Sequence, residues 1–274
     1  MSLLTAGRFR LDLNRPLVMG VVNITPDSFS DGGKFFDTKA AVAHALQLAE
    51  EGADILDIGG ESSRPGALPV SVAEEIDRVL PVLEKLKGAE QPVSVDTRRP
   101  EVMQAALRAG ASMINDIEAL QAPGAIEAVA KSQCAVCLMH MKGAPATMQQ
   151  DPHYDDVVGE VLLFLKKQAE KAVQAGIARE RIVVDPGFGF GKTVRHNFEI
   201  LRNLSKFGAL GVPVLAGWSR KSSLGKITGR PAGERLAGSL AAALLALQGG
   251  ATILRVHDVK ETRDVIAVWQ AYQQ

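Results

Sequence analysis

Asn23, Glu61, Asp96, Asn115 with Asp116, His140, Asp185, Lys221, and Arg255 with His257 each end or follow a short apolar run. Asp96, Asn115 and Asp185 offer acceptors that suit the donor edge of a flat nitrogen heterocycle. Lys221, Arg255 and His257 call for an anion, and Arg255 can also lay its planar guanidinium over a ring, which lysine cannot reproduce. A buried carboxylate needs partners, so an aminopyrimidine giving two hydrogen bonds to Asp185 would satisfy it and discriminate by shape. Taken singly, any of these residues can cap a loop; gathered at the ends of successive strands, they describe a site.

Two polar segments rich in Gly and Pro follow the first two apolar runs: Thr25-Pro26-Asp27-Ser28-Phe29-Ser30-Asp31-Gly32-Gly33 and Glu61-Ser62-Ser63-Arg64-Pro65-Gly66. They have the composition of active-site loops, with Phe29, Ser63, Arg64 and Pro65 placed to cover a substrate and exclude water. A third segment, Gly187-Phe188-Gly189-Phe190-Gly191-Lys192-Thr193, ends like a nucleotide-binding P-loop. It is not one, because the first glycine of that motif would fall on Pro186, and the dinucleotide spacing fails as well. Its glycines are expected to turn the backbone sharply beneath a ligand, with Phe188 and Phe190 as walls. Met139 is placed either on a ligand ring or in the core, and His140 beside it is ambiguous; His44, His153 and His196 read as solvated. Cys134 and Cys137 form a C-x-x-C, but the second cysteine opens an apolar run and no other cysteine pair exists to complete a zinc site.

These groups need a scaffold that brings strand ends to one place. Eight apolar runs (18–23, 55–59, 93–97, 113–117, 136–141, 182–186, 214–218 and 253–257) have the length and composition of buried parallel strands. Helical stretches at 39–51, 72–86, 100–109, 124–132, 155–175, 195–206, 234–247 and 260–272 alternate with them, and Gly52, Gly110 and Gly176 supply C-caps. Eightfold β-then-α alternation favours a closed (β/α)8 TIM barrel over an open doubly wound sheet. Ahead of the first run, Phe9, Leu11 and Leu13 alternate with Arg10 and Asp12, as in a short N-terminal β-hairpin closing the barrel bottom.

A chain of 274 residues with 46% hydrophobic content fits one barrel domain spanning 1–274. Lys plus Arg and Asp plus Glu both total 31, so no bulk field draws in nucleic acid or an anionic membrane, and small molecules are the expected partners. No stretch has the roughly 18 apolar residues of a membrane span, and a cytoplasmic location is the default expectation.

Several long motifs resemble bacterial dihydropteroate synthases, in family order and over nearly the whole chain. They are Met19-Gly20-Val21-Val22-Asn23-Ile24 running into the first loop, Gly59-Gly60-Glu61-Ser62-Ser63-Arg64-Pro65-Gly66, Ser94-Val95-Asp96-Thr97, Leu138-Met139-His140-Met141, Asp185-Pro186-Gly187-Phe188-Gly189-Phe190-Gly191-Lys192, Ser219-Arg220-Lys221-Ser222 and Arg255-Val256-His257-Asp258. The resemblance implies condensation of a pterin-methyl diphosphate with 4-aminobenzoate, releasing pyrophosphate. Arg255, His257, Lys221 and Asp96 would carry the catalysis. Asp96, Asn115, Asp185, Lys221, Met139 and Phe190 would hold the pterin, with Arg255 stacked on it. Arg255 and His257 would meet the diphosphate with help from Asn23 and Ser63, and Val256 would also line the pterin-diphosphate site. The 4-aminobenzoate would lie among Phe29, Ser63, Arg64, Pro65, Phe190, Lys221 and Ser222. Asn23 would help hold Mg2+, and the family implies a homodimer through the last barrel helices. Two departures stand out: Ser63 where threonine is frequent, and Glu118 where arginine or a small residue is common.

Leaving-group physics then places the chemistry in charge stabilisation on the departing pyrophosphate, with attack by a neutral aromatic amine that needs no strong base. The rival reading is a methyltetrahydrofolate–corrinoid methyltransferase, which shares pterin-binding strand ends but has no need of the cationic loops. A non-enzymatic pterin-binding barrel would need no metal.

Overall fold

The computed structural model describes residues 2–24, 34–62, 66 and 68–273, so Phe29, Ser63, Arg64 and Pro65 lie outside the described residues. Strands β1 (Leu3–Ala6) and β2 (Phe9–Asp12) pair antiparallel, with Leu4 opposite Leu11. The parallel strands are β3 (Leu17–Asn23), β4 (Ile55–Gly59), β5 (Val93–Asp96), β6 (Met113–Asp116), β7 (Ala135–Met139), β8 (Ile182–Asp185), β9 (Leu215–Ala216) and β10 (Ile253–Val256). Their order is β8-β7-β6-β5-β4-β3-β10-β9, and a parallel bridge between Val184 and Val214 closes the ring.

Outside the strands run α1 (Lys34–Glu50), α2 (Val72–Lys85), α3 (Pro100–Ala109), α4 (Ala125–Ala130), α5 (Val157–Gln174), α6 (Val194–Arg202), α7 (Ser222–Thr228), α8 (Leu236–Gln248) and α9 (Val259–Gln273). Local chemistry sets their ends. Ser71 caps α2 by accepting from the Glu74 N–H, Pro100 opens α3, and Gly110 closes α3 at φ 107°. The expected helix 195–206 stops at Arg202 and continues as a 3₁₀ segment, Leu204–Leu210. The expected seventh strand, 214–218, keeps ladder geometry only over Leu215–Ala216. Helix α7 has no counterpart among the helices expected from the sequence: Ser222–Thr228 is short and ends in a left-handed Gly229.

Side-chain alternation along strands divides the core in two. One set (Val18, Leu56, Val95, Ile114, Val136, Leu138, Leu254) faces the helices. The other (Leu17, Met19, Ile55, Met113, Ala135, Cys137, Val183, Leu215, Ile253) faces the barrel axis, and Leu4, Ala6, Leu11 and Leu13 of the hairpin close it from below, as the sequence predicts. Cys134 belongs to the first set and Cys137 to the second, and both are free and buried. Burial pushes both thiols up, which removes the thiolate that redox chemistry requires.

Candidate active site

One step further along the same strands, the axial face turns polar. Two residues beyond Ile55 is Asp57, beyond Met113 is Asn115, beyond Val183 is Asp185 and beyond Ile253 is Arg255. Ladder register sets Asp96 beside both Gly59 and Asn115. An apolar floor with a polar ring above it at the C-terminal strand ends is the layout in which barrel enzymes place their chemistry.

Arg255 is the hub of this ring. Its Nε donates to Asp57 Oδ2 at 2.6 Å and one Nη donates to Asp96 Oδ2 at 2.7 Å. Asn115 donates to the same Asp57 oxygen at 3.1 Å. Burial opposes charge on Arg255, but Asp57 and Asp96 outweigh it and raise the guanidinium pKa. Burial pushes Asp96 up to about 7 despite Arg255, with Asp57 adding to the rise. Asp185 is buried and also raised by burial, with Lys221 opposing; its Oδ1 accepts from the Gly187 N–H at 2.7 Å. Asp185 Oδ2 and the Arg255 side chain approach the same point beside Gly217, at 3.8 and 3.6 Å from where a Cβ would stand.

Lys221 immediately precedes α7 and reaches inward, donating to the Phe188 carbonyl and lying 4.4 Å from the Phe190 ring centre. Burial lowers its pKa to about 8, with Asp185 opposing. Ser222 is exposed as the first residue of α7. The turn before it is held in place at Arg220, a non-glycine residue at φ 57°. Arg220 grips Asp258 through two nitrogens, its N–H donates to Ser239 Oγ at 2.9 Å, and its carbonyl accepts from Arg235 at 2.9 Å. Next to this turn, Ser219 Oγ accepts from the His257 N–H at 3.2 Å and lies 3.1 Å from His257 Nδ1. The serine hydroxyl accepts from the backbone N–H and meets the ring at Nδ1, which fixes the orientation of the imidazole.

The glycine-rich loop works as a wall, but with one ring rather than two. Phe188 is fully buried and stacks on Trp218 with ring centres 4.7 Å apart, so only its carbonyl serves the site. Phe190 packs with Met139, Ile117 and Met148 at the mouth. Gly187 and Gly191 have φ 72° and 63°, and a Cβ on them would fall 2.0 Å from the His140 carbonyl and 2.2 Å from that of Lys142. Close backbone passage requires glycine there.

Other predicted residues fall elsewhere. Val256 is buried with Leu254 in the helix-facing core, so alternation excludes its side chain from the mouth. Asp116 likewise turns away from the axis and accepts from the Glu118 and Leu120 N–H groups at 2.8 and 2.7 Å. Glu61 ion-pairs with Arg99 at 3.0 Å and Arg98 at 3.5 Å, beside a cavity of about 220 Å³ that it lines with Ser62, Asp96, Thr97 and Ile117. Asn23, half-buried at the end of β3, brings its Oδ1 to 3.7 Å from the point beside Gly59 that Asp96 approaches to 3.8 Å.

Two residues emerge only from the structure. Asp57 has a sequence signal, an acid inside an otherwise apolar strand, but its position before the strand end hides it. Lys192 resembles a phosphate-binding lysine, yet it is buried, lies 2.9 Å from His140 Nδ1 and donates to the carbonyls of His140, Gly187 and Phe190 at 3.2, 2.9 and 3.0 Å. Burial, then Lys192, lower the His140 pKa to about 2, which keeps the ring neutral. Replacing Lys192 with methionine should leave those acceptors unpaired, at a cost of about 1–3 kcal/mol for each left without solvent. Urea unfolding is the check, and unchanged stability would show that the loop does not depend on this lysine.

A sequence profile described as "Pterin binding enzyme" matches residues 19–257. The chain is 50% identical over 262 residues to the dihydropteroate synthase of Haemophilus influenzae, covering 95% of each. It is similar to the dihydropteroate synthase of Xanthomonas albilineans solved with 4-aminobenzoic acid (TM-score 0.94, 56% identity, covering 99% of this chain and 98% of that one). A second structure from that organism, in complex with 7,8-dihydropteroate, has a TM-score of 0.90 and 53% identity, covering 99% and 98% of the two chains.

Proposed function

The chain belongs to the dihydropteroate synthase family of folate-biosynthetic transferases, and we propose that its barrel mouth joins (7,8-dihydropterin-6-yl)methyl diphosphate to 4-aminobenzoate, forming 7,8-dihydropteroate and pyrophosphate. The observation that carries this reading is the juxtaposition of acceptors and cations on one rim. Asp185, Asn115 and Asp96 meet the donor edge of the pterin, while Arg255, Lys221 and His257 bring positive charge and N–H donors to its phosphate side.

Asp185 is pre-oriented by Gly187, so its second oxygen is available to a donor pair on the ring. Arg255, held in one plane by Asp57 and Asp96, can cover the ring face while its charge stabilises the departing diphosphate. His257 Nε2–H would donate to the same leaving group. The C–O bond breaks with both electrons going to pyrophosphate; the amine nitrogen forms the new C–N bond and sheds a proton afterwards. An aromatic amine is neutral at pH 7, so no strong general base is needed. Lys221, Ser222 and Phe190 line the amine's approach.

Among the described residues no group of three or more His, Cys, Asp or Glu side chains is arranged to hold a metal. Mg2+ nonetheless fits, because it binds through few protein oxygens plus waters and substrate phosphates, and the Asn23 side-chain oxygen Oδ1 stands at the rim. Held there with the diphosphate, it would supply positive charge to the leaving oxygens. Mass spectrometry of the product made from the two substrates, with parallel measurement of Mg2+-dependent pyrophosphate release, tests the assignment; no dihydropteroate from folded protein would overturn it.

Turnover should follow pH through the two perturbed groups. Below about 7 Asp96 takes up a proton and Arg255 loses one of its carboxylate partners; above about 8 Lys221 loses its charge. We expect kcat/KM to rise through the first value and fall through the second, with Asp96→Asn removing the acid limb. A flat profile between pH 6 and 9 would exclude this titration.

A homodimer completes the proposal. Leu236 and Leu245 of α8 and Val268 and Tyr272 of α9 are 37, 45, 70 and 79% exposed on helices that pack together. Such apolar exposure is typical of an interface. Light scattering should give twice the monomer mass, and Leu245→Glu should halve it; a monomeric wild type would overturn the assignment. Among the described residues no helix is long and apolar enough to cross a membrane. We assign the cytoplasm as the compartment, in keeping with two free buried thiols.

A further inference from the structure

Asp57 is fully buried, sits in mid-strand, and pairs in register with Ser94, whereas Asp96 pairs with Gly59, two residues nearer the mouth. Asp57 therefore lies below the rim groups rather than among them. Its Oδ2 receives two donors from different strands: Arg255 Nε of β10 at 2.6 Å and Asn115 Nδ2 of β6 at 3.1 Å.

The second of these bonds decides the chemistry of the cavity. An asparagine amide has two ends of nearly the same shape, one an acceptor and one a double donor, and a rotation of 180° about its last bond exchanges them. A carboxylate that already binds a guanidinium can only accept. Asn115 must then turn its NH2 toward Asp57, and its oxygen is the end left for the cavity. With Asp185 and Asp96 also offering oxygens, the site becomes a set mainly of acceptors that favours a ring edge bearing N–H groups over one bearing lone pairs.

We propose that Asp57 is a positioning and specificity-determining residue: by holding the Asn115 amide and the Arg255 plane through one oxygen, it makes the cavity accept hydrogen bonds from the pterin. The assignment rests on the pterin lying in this cavity. Asp57 does not touch the ring; it sets which atom of Asn115 does, and it gives Arg255 one of its two carboxylate anchors.

The test is a double-mutant cycle read by calorimetry with 6-hydroxymethylpterin, together with steady-state kinetics. Asp57→Asn frees the Asn115 amide to rotate and should weaken binding about tenfold, the size expected when a buried hydrogen bond to ligand is lost. In an Asn115→Ala background the same change should cost about threefold, less than in the wild type, because only the Arg255 plane is left for it to act through. The exchange Asp57→Asn with Asn115→Asp should restore binding to within about threefold of wild type, since the amide now at position 57 donates to one carboxylate oxygen and leaves the other facing the ligand. Its kcat should stay at least about tenfold down, because Arg255 has lost a charged anchor. Equal losses in both backgrounds, or an exchange that recovers nothing, would overturn the assignment. Neutron diffraction of the wild-type complex needs no folded variant: deuterium on the Asn115 nitrogen directed at Asp57 with the amide oxygen toward the pterin supports the proposal, and the amide oxygen directed at Asp57 refutes it. Wild-type protein that fails to bind 6-hydroxymethylpterin would instead refute the pterin cavity itself.

Discussion

Replacing Arg255 with alanine is expected to damage both turnover and stability more than any other single change at the rim. The guanidinium is the only cation bonded to Asp57 and Asp96 among the described residues, and Asp57 is fully buried. Its removal strands buried negative charge, a loss of about 3–5 kcal/mol when one partner of such a pair is deleted. The diphosphate loses a preorganised cation at the same time, for which about a hundred- to thousandfold drop in kcat is the usual scale. Arg255→Lys restores charge without the planar fork, so it should recover stability better than turnover. Asp96→Asn removes one anchor and leaves the other, and its effect on kcat should be smaller. Urea unfolding and steady-state kinetics on the three variants decide the matter; an Arg255→Ala enzyme with near-wild-type kcat would remove this residue from the chemistry.

The second large effect is on binding. Asp185 is buried, one oxygen is taken by the Gly187 N–H, and the remaining oxygen stands near Arg255 and Lys221. Asp185→Ala deletes the acceptor proposed for the pterin donor pair, and each charge-assisted bond of this kind contributes about 1.5–3 kcal/mol. Pterin affinity should therefore fall by about a hundredfold or more, as read by calorimetry. The change also removes the anion that supports the Lys221 charge, so the alkaline limb of the pH profile should move below about 8. Normal pterin affinity in the variant would place the ring elsewhere.

These expectations draw on different levels of the chain. Strand positions, the hairpin plug and the rim positions of Asp96, Asn115, Asp185, Lys221 and Arg255 were legible because alternation of side chains and of β and α segments is written locally. The C-x-x-C shows the same division of the core: Cys137 on β7 belongs to the axial set and Cys134, just before β7, to the helix-facing set. Val256 and Phe188 show where local motif reasoning stops. Both sit inside polar or glycine-rich motifs, yet one faces the helices and the other stacks on Trp218.

Residue type and period, acting over a few neighbours, thus specify a barrel and list the groups at its mouth. Partnership was settled only by the closed fold: Asp57 meets Arg255 across 198 residues of chain and Asn115 across 58, and Lys192 turns inward to carbonyls instead of outward to phosphate. Hydrogen bonds need atoms about 3 Å apart, and separations of that kind arise between strands that have no local means of finding each other. Ring closure brings them together, and the balance of burial and charge on each group follows from it.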